Sequence, residues 1–138
     1  MILFEWTEDY ELKIPKIDDQ HKELVKMINE LYAALKSEHS SETVNVVLNR
    51  LLQYVEIHFE TEEAAMRQNH YPDFDGHIYL HDLLREEVLE LKKVQLQGGE
   101  VATFELLNFL TDWLKNHIAK ADRAFGQYLV NQGRSLLV

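Results

Sequence analysis

Cysteine is absent from this chain of 138 residues, which excludes disulfides and thiolate metal sites and leaves any metal to nitrogen and oxygen ligands. A cytoplasmic location fits that composition. Proline occurs only twice and glycine five times, so few positions can interrupt regular structure. No run approaches the roughly 18 apolar residues of a membrane span. The N-terminal stretch MILFEWTEDYELKIP carries Glu5, Glu8 and Asp9 with neither a basic leader nor a small-residue cleavage site, so no signal peptide is expected. Positive charge is scarce as well. Fourteen Lys and Arg against 24 Asp and Glu leave a net charge of -10, which argues against nucleic acid and anionic lipid as partners.

What is present reads as a single domain over residues 1–138, long enough to bury a core without staples. An N-terminal arm, residues 1–17, contains Pro15. Asp18 or Asp19 can cap a first helix over about 19–37, whose apolar stripe reads His21, Leu24, Ile28, Leu31, Leu35. The polar stretch KSEHSS follows, and Ser40 or Ser41 can cap a second helix over about 41–68. Asp73 or Asp75 can start a third over about 74–97, with His77, Leu80, His81, Leu84, Val88 and Leu91 inward, stopping at Gly98-Gly99. A fourth, about 103–131, places Leu106, Leu110, Trp113, His117, Ala121 and Tyr128 on one face. Four such helices joined by short connections predict an all-α, antiparallel up-down-up-down four-helix bundle with an N-terminal arm.

The second helix contains an anomaly. Val44, Leu48, Leu51, Val55, His58, Glu62 and Met66 follow one another at steps of three or four, so a glutamate lies in a buried stripe. An ionised carboxylate leaves water only when it is paired, hydrogen-bonded or bound to a metal. Of seven histidines, His21, His58, His77, His81 and His117 also fall on apolar stripes, at least one per helix, and only His39 and His70 lie in loops. One histidine on an apolar face is ordinarily a satisfied core residue. Five, on four helices facing one core, point instead to a metal site.

His77 and His81 are four apart, as are His58 and Glu62, so each pair projects from one helix face and can reach one ion. His117 and Asp122 are five apart, which on a regular α-helix turns them about 140° from each other. Either the helix widens locally to a π-type turn or the aspartate reaches in from the side. Periodicity does not choose between Asp122 and Asp112, five residues before the same histidine.

The blocks IDDQHKEL (17–24), HFETEEAAM (58–66), YPDFDGHIYLH (71–81) and WLKNHIAKADRAF (113–125), in this order, resemble the signature of the hemerythrin family, in particular its bacterial single-domain members. The resemblance implies two non-haem irons. His77, His81 and His117 would hold one, His21 and His58 the other, and Glu62 and Asp122 would bridge both; it is the resemblance that selects Asp122. Five imidazoles and two bridging carboxylates offer nine bonds, and the oxo or hydroxo bridge carried by the family adds two. Two irons want about twelve. One position is left, on the iron with two histidines, where the resemblance implies that dioxygen binds reversibly.

Phe59, Trp113, Leu114 and Ile118, with Leu84 and Phe125, are similar to the family's oxygen-pocket positions, although singly each reads as ordinary core. Leu84 stands where phenylalanine is common, Phe125 where tyrosine is common, and Ile78 where a basic residue is frequent. The function implied is oxygen storage, delivery or sensing without net chemistry, by a monomer or a homo-oligomer. Two alternatives stand beside it: a di-iron redox enzyme acting on peroxide or nitric oxide, and a purely structural bundle, with or without zinc. A ferritin-like oxidase is disfavoured, because no histidine has a glutamate three residues before it.

Overall fold

The computed structural model describes residues 2–37 and 39–134, and all regular structure among them is helical. A 3-10 turn at Glu8–Tyr10 precedes α1 (Pro15–Lys36), α2 (Ser41–Gln68), α3 (Phe74–His117), a π-helical turn at Ile118–Asp122 and α4 (Arg123–Asn131).

Helix α1 begins four residues earlier than the expected start at Asp19, and neither Asp18 nor Asp19 is its N-cap. Ile14 holds that position in extended conformation, and Pro15 opens the first turn, where its fixed φ suits a helix and its missing N–H is not needed. Asp18 acts from inside the turn. Its carboxylate accepts from the backbone N–H groups of Leu12 at 2.9 Å and Ile14 at 3.3 Å, tying the arm to the helix it precedes. Further out, Asn29 accepts from the N–H groups of Leu3 and Phe4 and donates to the Phe4 carbonyl at 2.8 Å, which seats the Phe4 ring in the core. Gly126 lets the arm cross α4 closely, since a Cβ there would lie 3.2 Å from the Leu12 Cβ. Helix α2 starts as expected, with Ser40 Oγ accepting from the Thr43 N–H at 3.1 Å.

Helix α3 is two helices in one run. On a straight helix His77 and His117 would stand about 60 Å apart, yet their Nε2 atoms are 3.1 Å apart. The chain folds back at Gly99, whose φ of 68° and ψ of -145° are open to glycine and strained for other residues. Helical structure resumes at once on the far side, with Thr103 Oγ1 donating to the Gly99 carbonyl at 3.0 Å. The fourth bundle helix therefore starts at residue 100, not 103. The bundle consists of α1, α2, residues 74–98 of α3, and residues 100–117 continued through α4.

The π-helical turn resets the buried face of that last helix. Leu106, Leu110, Leu114 and His117 are buried before it, Asp122 at its end, and Phe125 and Leu129 after it. Ala121 and Tyr128, expected inward on a regular period, are only half-buried. A π turn holds one residue more than an α turn, so the following positions move round by that residue. Leu80 is a second correction: it is exposed, because the buried line of α3 runs through His77, His81 and Leu84 and leaves Leu80 beside it.

Two apolar clusters fill the interior. The larger includes Phe4, Leu31, Leu48, Phe59, Leu84 and Leu114. The smaller unites Leu12, Ile14 and Ile17 with Ala65, Met66, Phe125 and Leu129. Every helix passes from one cluster to the other, and at each crossing it presents histidine or carboxylate.

Candidate metal centre

Glu62 and His81 have no solvent exposure, nor has His21, and Asp122 retains 1%. Each carboxylate turns one oxygen to either side. Glu62 Oε1 lies 3.1 Å from His77 Nε2 and 3.3 Å from His81 Nε2, while Oε2 lies 3.0 Å from His58 Nε2 and 3.5 Å from His21 Nε2. Asp122 Oδ1 lies 3.1 Å from Nε2 of both His77 and His117, and Oδ2 lies 3.1 Å from His21 Nε2. Two groups result, Glu62–His77–His81–His117–Asp122 and His21–His58–Glu62–Asp122, with the carboxylates common to both.

Hydrogen bonding among these atoms is incomplete in a way that fits cations. His21 Nδ1 and Nε2, His58 Nε2, Glu62 Oε2 and both Asp122 oxygens are buried without a hydrogen-bond partner, an arrangement that costs free energy for every such group. The Nε2 atoms of His81 and His117 face each other at 3.1 Å, and His117 repeats this with His77, so three ring nitrogens converge on one point and compete for the same two carboxylate oxygens. An octahedral ion with ligands about 2.1 Å away sets neighbouring ligand atoms about 3.0 Å apart, close to the spacing observed. The donor set of imidazole and carboxylate suits iron.

Charge tells the same story. Burial alone would lower the pKa of His21, but Asp122 and Glu62 beside it raise it to about 9. Against the same desolvation, Asp122 and Glu62 raise His77 to about 10. Burial lowers His58. Burial would raise both acids, yet the surrounding histidines hold Glu62 and Asp122 well below the usual carboxylate range. Without metal the cage keeps its carboxylates ionised and holds protons where cations would neutralise them.

Outer partners orient the rings. His58 Nδ1 pairs with Gln20 Oε1 at 2.7 Å, and Gln20 Nε2 donates to Thr61 Oγ1 at 3.1 Å. His81 Nδ1 pairs with Glu63 Oε2 at 2.8 Å. With their Nδ1 protons engaged in this way, both rings keep Nε2 free to ligate. Sequence reasoning missed Gln20 and Glu63. Glu63 follows Glu62 in ETEE and reads as a solvated charge, and nothing in the chain marks Gln20, 38 residues before its partner.

Of the expected pocket residues, Phe59, Leu84 and Leu114 share the larger cluster, with Trp113 packed against it. Phe59 stacks on His81 with ring centroids 3.8 Å apart, and Trp113 on His117 at 4.3 Å. Ile118 is buried in the π-helical turn. Phe125 lies apart from them in the smaller cluster, its ring 5.0 Å from that of Tyr71. Asp112 is exposed, and only Asp122 joins the cage. Between α2 and α3 a cleft of about 300 Å³ runs over Leu52, Val55, Phe59, Leu84 and Val88, with Glu56 and Arg85 at its side.

Fold and site together define a helical-bundle protein in which two groups of side chains able to hold a metal share two carboxylates. The Hemerythrin HHE cation binding domain matches residues 12–129, and the chain belongs to the hemerythrin family. It is 34% identical over 130 residues to a bacteriohemerythrin of Methylococcus capsulatus, covering 94% of this chain and 98% of that one. A bacteriohemerythrin of Pseudomonas aeruginosa is 36% identical over 121 residues, covering 87% and 77%, and a myohemerythrin of Theromyzon tessulatum is 34% identical over 119, covering 86% and 88%. A crystal structure of a wild-type hemerythrin superposes with a TM-score of 0.80 at 31% identity, covering 91% of this chain and 96% of that one.

Proposed function

We propose that this chain binds dioxygen reversibly at a centre of two non-haem irons, for oxygen storage, delivery or sensing. His77, His81 and His117 would hold one iron and His21 and His58 the other, with Glu62 and Asp122 available to both. The observation that carries this reading is the division of each carboxylate, one oxygen to either histidine group, among buried atoms that lack hydrogen-bond partners. Iron, when bound, supplies the reversible exchange of two electrons with dioxygen.

The chain's own residues supply the rest. Five imidazoles against two carboxylates favour the reduced pair, the state that takes up dioxygen, over strong oxidation. Gln20 and Glu63 fix the tautomers of His58 and His81. Phe59 and Trp113, stacked on ligand rings, keep water from the larger-cluster side, and Leu114 and Ile118 complete that apolar wall. Exclusion of water and protons is what keeps oxygen release ahead of irreversible oxidation. Among the described residues no helix is long and apolar enough to cross a membrane. We place the chain in the cytoplasm as a monomer, an assembly that sedimentation velocity reads directly.

The test is the visible spectrum of iron-loaded protein, reduced without oxygen, exposed to air and then purged. A band that rises with oxygen and disappears on purging supports the reversible carrier. A one-way change to the oxidised spectrum overturns it in favour of a redox enzyme, and no iron-dependent band returns the chain to a structural bundle.

A further inference from the structure

Arg85 stands four residues after His81 on α3, outside the cage, and the function proposed above gives it no part. Its Nη2 donates to Glu63 Oε2 at 2.8 Å, its Nε and Nη2 to the two oxygens of Glu56 at 2.9 and 3.0 Å, and its Nη1 to Asp82 Oδ1 at 2.9 Å. The same Glu63 oxygen accepts the Nδ1 proton of His81, also at 2.8 Å. One carboxylate oxygen is thereby shared between a cation at the rim and an imidazole whose Nε2 faces the cage. The Glu63 side chain is only 11% exposed, so salt screens this contact little. The guanidinium also lies 5.2 Å over the ring of Phe59, which stacks on His81. In the other half of the cage the corresponding partner of His58 is the neutral amide of Gln20.

A carboxylate that accepts the Nδ1 proton makes Nε2 a stronger donor to a bound cation, and more so to the higher charge of ferric iron. A guanidinium on the same oxygen draws its charge away and weakens that effect. We propose that Arg85 is a positioning residue for the three-histidine half of the centre, acting through Glu63 to limit the donor strength of His81 and so favour ferrous iron. The inference rests on the function proposed above. It differs from a packing role in sign: removing Arg85 and removing the charge of Glu63 act in opposite directions, whereas damage to packing weakens the site in both variants.

The experiment compares wild type with Arg85→Gln and Glu63→Gln by anaerobic redox titration of the iron-loaded proteins, followed in the visible. Metal-free samples are titrated with Co(II) in parallel, a readout independent of oxygen chemistry. Glu63→Gln should raise the midpoint potential and weaken Co(II) binding by roughly 10- to 100-fold, the usual effect of an outer hydrogen-bond partner. Arg85→Gln should lower the potential and bind Co(II) at least as tightly as wild type, with Arg85→Lys between it and wild type. Shifts of the same sign, or equal losses of Co(II) affinity, overturn the proposal. Should Arg85→Gln fail to fold, Glu56→Gln tests the same idea. Freeing Arg85 for Glu63 should raise the potential by less than Glu63→Gln does, and an unchanged potential in Glu56→Gln and Arg85→Lys overturns the role. A wild-type chain that takes up neither iron nor Co(II) instead overturns the function proposed above.

Discussion

Glu62 places one oxygen 3.1 Å from His77 and the other 3.0 Å from His58, so Glu62→Ala removes an oxygen from each half of the cage at once. His81→Ala removes a ring nitrogen from the three-histidine half alone. Both variants should lose iron, by more than the roughly 10- to 100-fold that loss of an outer hydrogen bond costs, and the iron content of purified protein against wild type checks this. Full retention by both would refute the ligand assignment. Leu84 belongs to a different category, since it lines the cleft beside Phe59 and offers no ligand atom to the cage. Leu84→Phe should keep its iron, lose about 1–3 kcal/mol of stability to overpacking, and change the rate at which air-exposed protein passes to the oxidised spectrum. An oxidation rate equal to wild type would show that this side of Phe59 has no bearing on access.

At the scale of elements, the π-helical turn decides which aspartate enters the cage. Asp122 lies five positions after His117, and the widened turn carries both to the same side. Deleting Ala119, which is exposed, should let the segment close into a regular α-helix with the aspartate four residues after the histidine, still on the same face. Metal binding should survive this deletion at least in part. Deleting Ala102, which is buried in the fourth helix before His117, instead turns Leu106 and Leu110 away from the core by about 100° relative to the turn at Gly99 and should unfold the variant. Circular dichroism and metal titration of the two deletions separate these outcomes. Equal damage in both would mean that the π geometry itself is required.

For the molecule as a whole, the cage sets the pH behaviour of the metal-free protein. His21 and His77, raised to about 9 and about 10, contribute stability that is fully present below their ordinary value of about 6.5 and lost as pH rises through those raised values. Glu62 and Asp122, held below the usual range, contribute stability above about pH 4 that is lost as pH falls toward their depressed values. The metal-free bundle should therefore melt highest between about pH 5 and 6.5 and lose stability steadily from there to about pH 10, as thermal scans across pH would read. Metal entering at pH 7.5 must displace the protons on His21 and His77. Uptake of Zn(II) in weak buffer should release protons at that pH and cease to do so well above pH 10; release that does not vanish there would mean that other groups carry the charge.

The amino-acid order alone specified the four helices, their apolar stripes and five histidines with one glutamate on them, because these follow from local periodicity and the chemistry of burying charge. The resemblance to a known family then singled out Asp122, which spacing had left level with Asp112. Assembly settled what depends on distant partners. Asp18 became a clamp on the arm instead of a cap because Pro15 already opened the helix, and the π turn carried Phe125 and Leu129 inward in place of Ala121 and Tyr128. Gln20 and Glu63 gained their roles from rings 38 and 18 residues away. Periodicity reports which face of a helix is apolar, but it carries no record of what a polar side chain meets across a bundle, and the hydrogen bonds that aim the ligands are formed there.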